Sequence, residues 1–280
     1  MPGLFTSMKL LTRTPRPPLS EFVELLWFYQ GFPQPHLKER ALPTGTMELV
    51  VNLSHDQLRV FDRHESHSFR SFPGSMVCGA HSEFFVIEPN QDQSIMGVHF
   101  KPGGAFPFFK LPVGELHNTH LSLETLWGTK AGELRERLLE ARTLDGQFII
   151  LEQFLLEQTS GCLSRHAAVA FGLSAFQRVP HSRKIAEVVG QIGISQRRFI
   201  EVFRDEVGLT PKQFCRVRRF QSVLRLIGKG RRVDWVDIAL ACGYYDQAHF
   251  INDFQAFSGL NPVAYIRNPG ERLNHVPFSD

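Results

Sequence analysis

Two groups of mostly polar side chains, set at an offset of 51 residues, carry hydrogen-bonding groups of the kind that can pair with nucleic-acid bases. The first holds Gln196, Arg197 and Arg198, with Glu201 one helical turn on; the second holds Gln247, Ala248, His249 and Asn252. Arginine pairs bidentately with guanine, glutamine and asparagine with adenine, and an alanine methyl can meet the thymine methyl. For any one of these residues a solvated helix face is the plain alternative. A third group, Arg216, Arg218 and Arg219, follows the first with Arg225 beyond it; cations at such positions face phosphates or pair with acids inside the domain.

The elements that must position these groups are legible because they occur twice. Residues 194–214 read ISQRRFIEVFRDEVGLTPKQF and residues 245–265 read YDQAHFINDFQAFSGLNPVAY. They align without a gap, with identical pairs at Gln196/Gln247, Phe199/Phe250, Ile200/Ile251, Phe203/Phe254, Gly208/Gly259, Leu209/Leu260 and Pro211/Pro262. Ser195 and Asp246 suit N-caps. The Phe pairs at i, i+4 share one buried face. Gly208 and Gly259 fall where a left-handed C-cap belongs, and Pro211 and Pro262 where the next helix starts. A helical run ending in glycine precedes each copy: Ile185 to Ile192 before Gly193, and Val236 to Cys242 before Gly243. Helix, glycine turn, capped helix is the helix-turn-helix arrangement, whose second helix enters the major groove.

On these residues the chain resembles the AraC/XylS family of bacterial transcription regulators. The motifs are Val188-Val189, Gly193-Ile194-Ser195, Phe199, Phe203, Gly208 and Pro211, then Ile238-Ala239, Gly243-Tyr244, Phe250, Phe254, Gly259, Pro262 and Tyr265, over roughly 163–267. Val189 and the Cys242-Gly243-Tyr244-Tyr245 turn depart mildly from the family pattern. The resemblance implies base contacts at Arg197, Ile200 and Glu201, although Ile200 suits either the core or the groove. It also implies that the helix over 212–227 is a rigid spacer between the two units. At 16 residues that helix is about 24 Å long, fit to hold two reading helices near successive major-groove faces.

Charge points the same way. The whole chain is only +3, but residues 161–280 hold 17 basic and 10 acidic residues, and residues 1–160 hold 14 and 18. The excess is concentrated in 178–232, with 14 basic against 4 acidic, while 233–280 has 2 against 6. Such asymmetry indicates nucleic acid as partner. The first unit and the helix after it are therefore expected to supply most phosphate contacts.

The first 160 residues are β-like, then helical. Short runs at Met47–Leu53, Leu58–Phe61, Ser75–Cys78, Glu83–Glu88 and Ile95–Phe100, punctuated by Gly, Pro, Asn and Asp, predict a small antiparallel barrel or sandwich. Helical signal follows at Leu123–Leu126, Ala131–Ala141 and Phe148–Gln158. The last has an apolar face wide enough to need burial within the subunit or against a second copy. Leu42-Pro43-x-Gly45-x-x-Glu48-Leu49, Gly97-Val98-x-Phe100-x-Pro102-Gly103-Gly104-Ala105 and Leu121-x-x-Glu124-x-Leu126-Trp127-Gly128 resemble the β-rich domain that precedes AraC-type readers in many uncharacterised regulators. Within the wider family such domains bind a small effector and help dimerise.

Several functions find no support. Cysteines 78, 162, 215 and 242 make neither a CxxC pair nor zinc spacing; Cys215 and Cys242 read as core. His81, Glu83 and His99 could cluster as metal ligands if their strands pair, but a compact His-x-His pattern is missing, and Gly103-Gly104 reads as a turn rather than a phosphate cradle. No run approaches the length of a membrane span.

The expected protein is α+β: an arm over 1–18, a β-rich sensor and dimerisation domain with C-terminal helices over 19–160, a double helix-turn-helix domain over 161–268, and a tail over 269–280. Its expected function is a cytoplasmic, sequence-specific regulator, not an enzyme, without metal or cofactor. Its expected partners are double-stranded DNA, a small-molecule effector, RNA polymerase and a second copy of the chain, with no membrane. The competing readings are a metal-dependent cupin-like enzyme fused to a DNA-binding domain and a non-specific architectural protein.

Overall fold

The computed structural model describes residues 9–31, 38–65, 67–89, 94–159, 163–178, 185–227, 234–270 and 272–278. Its first half contains strands β1 (Lys9–Arg13), β2 (Val23–Gln30), β3 (Glu39–Ala41), β4 (Glu48–Asn52), β5 (Gln57–Phe61), β6 (Phe69–Pro73), β7 (Ser75–Cys78), β8 (Phe85–Ile87), β9 (Ser94–Phe100) and β10 (His120–Ser122). Four helices accompany them: α1 (Phe106–Phe109), α2 (Leu123–Trp127), α3 (Thr129–Glu140) and α4 (Leu144–Gln158). The second half holds α5 (Ala167–Arg178), α6 (Ile185–Gly190), α7 (Gln196–Val207), α8 (Pro211–Ile227), α9 (Trp235–Ala241), α10 (Gln247–Ser258) and α11 (Pro262–Arg267), followed by β11 (His275–Pro277).

The strands form two antiparallel sheets, ordered β1-β2-β9-β4-β7-β10 and β11-β3-β8-β5-β6. Side chains of the first sheet alternate between two destinations. Leu26, Leu49, Val51, Val77, Val98 and Phe100 are fully buried in the main core with Phe108, Leu134, Leu138, Leu151 and Phe154 of the helical layer. Leu25, Trp27, Glu48, Val50, Met76 and His99 line a cavity on the other face. Because both faces are occupied, strands such as VELLWFYQ lack the apolar–polar alternation of a half-exposed strand. That is why β2 is absent from the sequence-based expectation, whereas β4, β7 and β8 fall within the runs read there and β5 and β9 begin one residue before theirs. Helix α4 buries Phe148, Leu151, Phe154 and Leu155 inside the subunit and leaves Ile149 and Leu156 exposed.

Both ends of the chain differ from expectation. The supposed arm contributes β1, registered from Lys9↔Gln30 to Arg13↔Leu26; residues 1–8 lie outside the described residues. The supposed tail returns as β11, pairing antiparallel with β3 from His275↔Ala41 to Pro277↔Glu39. Val276 has no accessible surface, and a buried valine next to an open sheet edge is sufficient reason for the segment to dock.

The helical half follows the repeat closely. Ser195 Oγ accepts from the Arg198 amide at 3.2 Å and Asp246 Oδ1 from the His249 amide at 2.7 Å. Gly208 (φ 86°) and Gly259 (φ 70°) are left-handed C-caps closing onto the Arg204 and Gln255 carbonyls. Gly193 (φ 78°) and Gly243 (φ 75°) make the turns. Phe199, Phe203, Phe176 and Phe214 form one aromatic cluster; Phe250, Phe254, Phe220, Phe257 and Tyr265 form its counterpart. Helix α8 thus gives its N-terminal half to one unit and its C-terminal half to the other.

Candidate nucleic-acid interface and internal cavity

The caps place the polar ends of α7 and α10 outward. Gln196, Arg197, Arg198 and Glu201 are exposed, as are Gln247, Ala248 and Asn252, with His249 partly so. Arg198 and Glu201 pair with each other at 2.8 Å. Arg197 has no side-chain partner among the described residues, leaving its guanidinium free for a base edge. Ile200 is half-buried, between core and groove as its sequence position suggested.

Two of the α8 arginines meet an acid inside the domain. Arg216 donates to Asp253 Oδ1 from Nη2 at 2.6 Å and from Nε at 3.1 Å. Arg219 lies 3.8 Å from Asp253 Oδ2 and stacks over the Tyr244 ring. Asp253, on α10, keeps only 4% of its side-chain surface, so this cluster bolts the second reading helix to the spacer helix. Arg218 turns toward the first half: burial lowers its pKa, Arg225 lowers it further, and the Glu24 carboxylate on β2 opposes both. Sequence spacing showed that these arginines leave the apolar stripe; it could not show that Asp253, 37 positions after Arg216 and 34 after Arg219, would meet both.

The cavity, about 720 Å³, lies between the two sheets. A cross-strand row starts on its floor, with His99 paired to Glu48 and Glu48 to Cys78, and continues from Cys78 to His120 beyond it. His99 Nδ1 and Glu48 Oε1 are 2.6 Å apart, and His99 Nε2 lies 3.1 Å from Thr46 Oγ1. Burial alone would raise the Glu48 pKa, but the His99 hydrogen bond and charge bring it below the usual value. Burial likewise opposes a charged His99, and Glu48 more than reverses it, so the His99 pKa is raised. The result is an ion pair. Glu48 retains 35% of its side-chain surface, open to the cavity, and its second oxygen has no hydrogen-bond partner among the described residues.

At the other end, His81 packs on Phe85 and His120 at ring-centroid distances of 4.6 and 4.7 Å. Burial holds His120 at about 4 and puts His81 well below the ordinary histidine value; both are neutral, and their Nε2 atoms have no hydrogen-bond partner among the described residues. The His81, Glu83 and His99 grouping that the sequence raised only to set aside does not form: Glu83 pairs with Arg63 at 2.5 Å. Among the described residues no three His, Cys, Asp or Glu side chains gather as a metal site.

The fourth wall comes from the far end of the chain. Arg272, Leu273, Asn274 and His275 line the cavity. His275 and Arg272 hold the buried Glu39 carboxylate at 2.9 and 3.2 Å. Asn274 Oδ1 accepts from Gln221 Nε2 of α8 at 2.9 Å, and the same nitrogen donates to the Pro43 carbonyl at 2.7 Å. The Leu42-Pro43-x-Gly45-x-x-Glu48 stretch singled out in the sequence therefore joins cavity and spacer helix. Trp27 and the C-terminal wall carried no sequence signal, and Met76 and His81 were read as part of a strand and as a possible metal ligand rather than as cavity lining, because residues on short strands acquire a common face only through pairing.

Comparison with known proteins accounts for most of the chain. Residues 11–122 match a domain of unknown function (DUF6597), and residues 188–268 match a helix-turn-helix domain. The probable transcriptional regulator LumQ of Photobacterium leiognathi is 26% identical over 216 residues, covering 70% of this chain and 83% of that protein. An uncharacterised HTH-type transcriptional regulator of Haemophilus influenzae is 31% identical over 88 residues, or 31% of this chain and 28% of that one. Among solved structures, ToxT from Vibrio cholerae aligns with a TM-score of 0.44 at 10% identity over 94% of this chain and 98% of that one. Its unsaturated-fatty-acid-bound form aligns at 0.45, with 10% identity over 95% and 97%. The duplicated unit with its capped, exposed helix ends, the helix-turn-helix match over residues 188–268 and the similarity to LumQ together make this chain similar to DNA-binding transcriptional regulators, with a helix-turn-helix domain in its C-terminal part.

Proposed function

We propose that this regulator reads a two-block DNA site and is controlled by a small molecule held in the cavity between its sheets. The observation that carries the reading is the pairing of two equivalent, outward-facing helix ends with an internal cavity on the same chain. In this reading Gln196, Arg197, Arg198 and Glu201 face one major-groove segment, and Gln247, Ala248, His249 and Asn252 face the next. Arg216 and Arg219 act mainly by fixing α10 on α8. The sensor comprises about 19–160 together with β1 and β11, and the reader about 161–268.

The cavity has the size of a small-molecule site and a divided lining. Trp27, Val50, Met76 and Phe85 suit an apolar body; Glu48 and His81 offer polar anchors at its two ends. Effector binding shifts the population between arrangements that differ in DNA affinity. A second copy of the chain and RNA polymerase complete the partners of such a regulator, which works in the cytoplasm without catalysing a reaction.

The test is a metabolite screen on the full chain, read by thermal stability and by affinity for selected DNA. A compound that raises the midpoint and changes DNA affinity, with both effects lost in Glu48→Gln, supports the reading. A screen in which bound compounds leave DNA affinity unchanged contradicts the effector role.

A further inference from the structure

The connection between β7 and β8 has two faces with different duties. Gly79, His81 and Phe85 line the cavity. Ala80 and Phe84, between them, touch the DNA-reading half at two equivalent points of the repeat. A Cβ added at Gly208 would lie 2.9 Å from the Ala80 Cβ, and one added at Gly259 would lie 2.5 Å from the Phe84 ring. Gly208 and Gly259 are the C-caps of the two reading helices. One short segment of the sensor thus seats both helices by the same end, leaving both N-terminal reading ends free.

The segment is firmly held. The Gly79 amide donates to the Thr119 carbonyl at 2.9 Å, the Asn118 amide to the Ala80 carbonyl at 3.2 Å, and the Ser82 amide to Asn118 Oδ1 at 2.7 Å. The hydroxyl of Ser82 lies 2.8 Å from His117 Nε2. Such lacing moves the backbone as a unit, so a displacement of His81 carries Ala80 and Phe84 with it. His81 is also the residue of this segment whose buried ring nitrogen has no hydrogen-bond partner among the described residues, a position at which the polar group of a ligand would find a partner.

We propose that residues 79–85 are the relay of this regulator. His81 and Phe85 contact a ligand bearing a hydrogen-bonding group beside an apolar body, while Ala80 and Phe84 seat the two C-caps and fix the common orientation of the readers on DNA. The ligand half rests on the effector reading above; the seating half does not. Two readers held in one orientation bind a two-block site with the advantage of a linked pair, and a loosened seat forfeits part of that advantage.

The experiment compares full-length protein with Phe84→Ala and Phe84→Leu on two DNAs from site selection, one with both blocks and one with the first block alone. Phe84→Ala is expected to weaken two-block binding by about tenfold and leave one-block binding unchanged, with Phe84→Leu restoring most of the loss. Equal loss on both DNAs, no loss on either, or a selected site with a single block would overturn the proposal. Coupling is reciprocal, so two-block DNA is also expected to change the rate at which N-ethylmaleimide labels Cys78 in the cavity by several-fold, read by mass spectrometry. An unchanged rate under saturating DNA would overturn the relay. A screen without effectors alongside the Phe84→Ala result stated here would remove the effector reading and keep the seat.

Discussion

At the scale of single residues, the reading positions and the ion cluster of the second unit should separate cleanly by their effects. The Arg197 side chain has no hydrogen-bond or ion-pair partner among the described residues. Arg197→Ala is expected to leave the melting curve unchanged, cost about 1–3 kcal/mol in binding and relax preference at one base pair. Asp253→Ala should behave in the opposite way. It strands Arg216 and Arg219 and unbolts α10, at about 2–3 kcal/mol of stability, less than for a fully buried pair because Arg216 keeps 36% of its side-chain surface. Arg219→Ala should likewise lower stability while leaving the salt dependence of DNA binding intact; a shallower salt slope would instead identify it as a phosphate contact.

The buried histidine gives a pH signature. His120 titrates at about 4 in the folded chain against 6.5 unfolded, its charged form disfavoured first by burial and then by Arg70. The unfolded chain therefore binds the extra proton, and stability falls as pH drops through 6.5 toward 4. The loss amounts to about 2 kcal/mol between pH 7 and pH 5. His120→Phe should flatten that part of the pH–stability curve, measured by urea denaturation at the two pH values; an unaltered slope would contradict the assignment.

At the scale of elements, the repeat was legible because each of its signals has a local cause. Ser195 and Asp246 cap through their own side chains, Gly208 and Gly259 reverse the chain through their own φ angles, and the Phe pairs lie one turn apart. The strands β4 and β9 were visible as apolar runs. β2 and β11 were not: β2 is covered on both faces, and β11 is three residues long and held by β3, which lies more than 230 positions earlier. The site divided along the same line. The outward positions of α7 and α10 followed from helical geometry, whereas the cavity, the Asp253 cluster and the seats at Ala80 and Phe84 arise from contacts between distant segments. Substitution at the glycines distinguishes local strain from such contacts. Gly193 (φ 78°) has open space where a Cβ would go, so Gly193→Ala should cost about 1 kcal/mol for left-handed backbone alone. Gly208→Ala adds a close approach to Ala80 and should cost more, in thermal denaturation of the full chain. Equal costs would mean that the sensor does not press on that cap.

At the scale of the whole molecule, the β-rich half grips the helical half along several lines. The polypeptide joins them between α4 and α5. Gln221 links α8 to the β3–β4 loop and the C-terminal wall, and residues 80–84 touch both reading helices. Val276→Asp should show how much of this depends on the last strand. Burying a carboxylate without a partner detaches β11, which opens the cavity and frees the second unit from Asn274; the expected result is lower stability together with altered DNA affinity. A mutant that lost neither would make β11 an ornament of the sheet.

The central claim is that one chain presents two DNA-reading helices in a fixed relation. Its most direct test is selection of binding sites from random DNA by the full-length protein at near-physiological salt. The account predicts two enriched blocks about one helical turn apart, roughly 34 Å, the first losing preference in Arg197→Ala and the second in Gln247→Ala. Enrichment of a single block, untouched by Gln247→Ala, would contradict it.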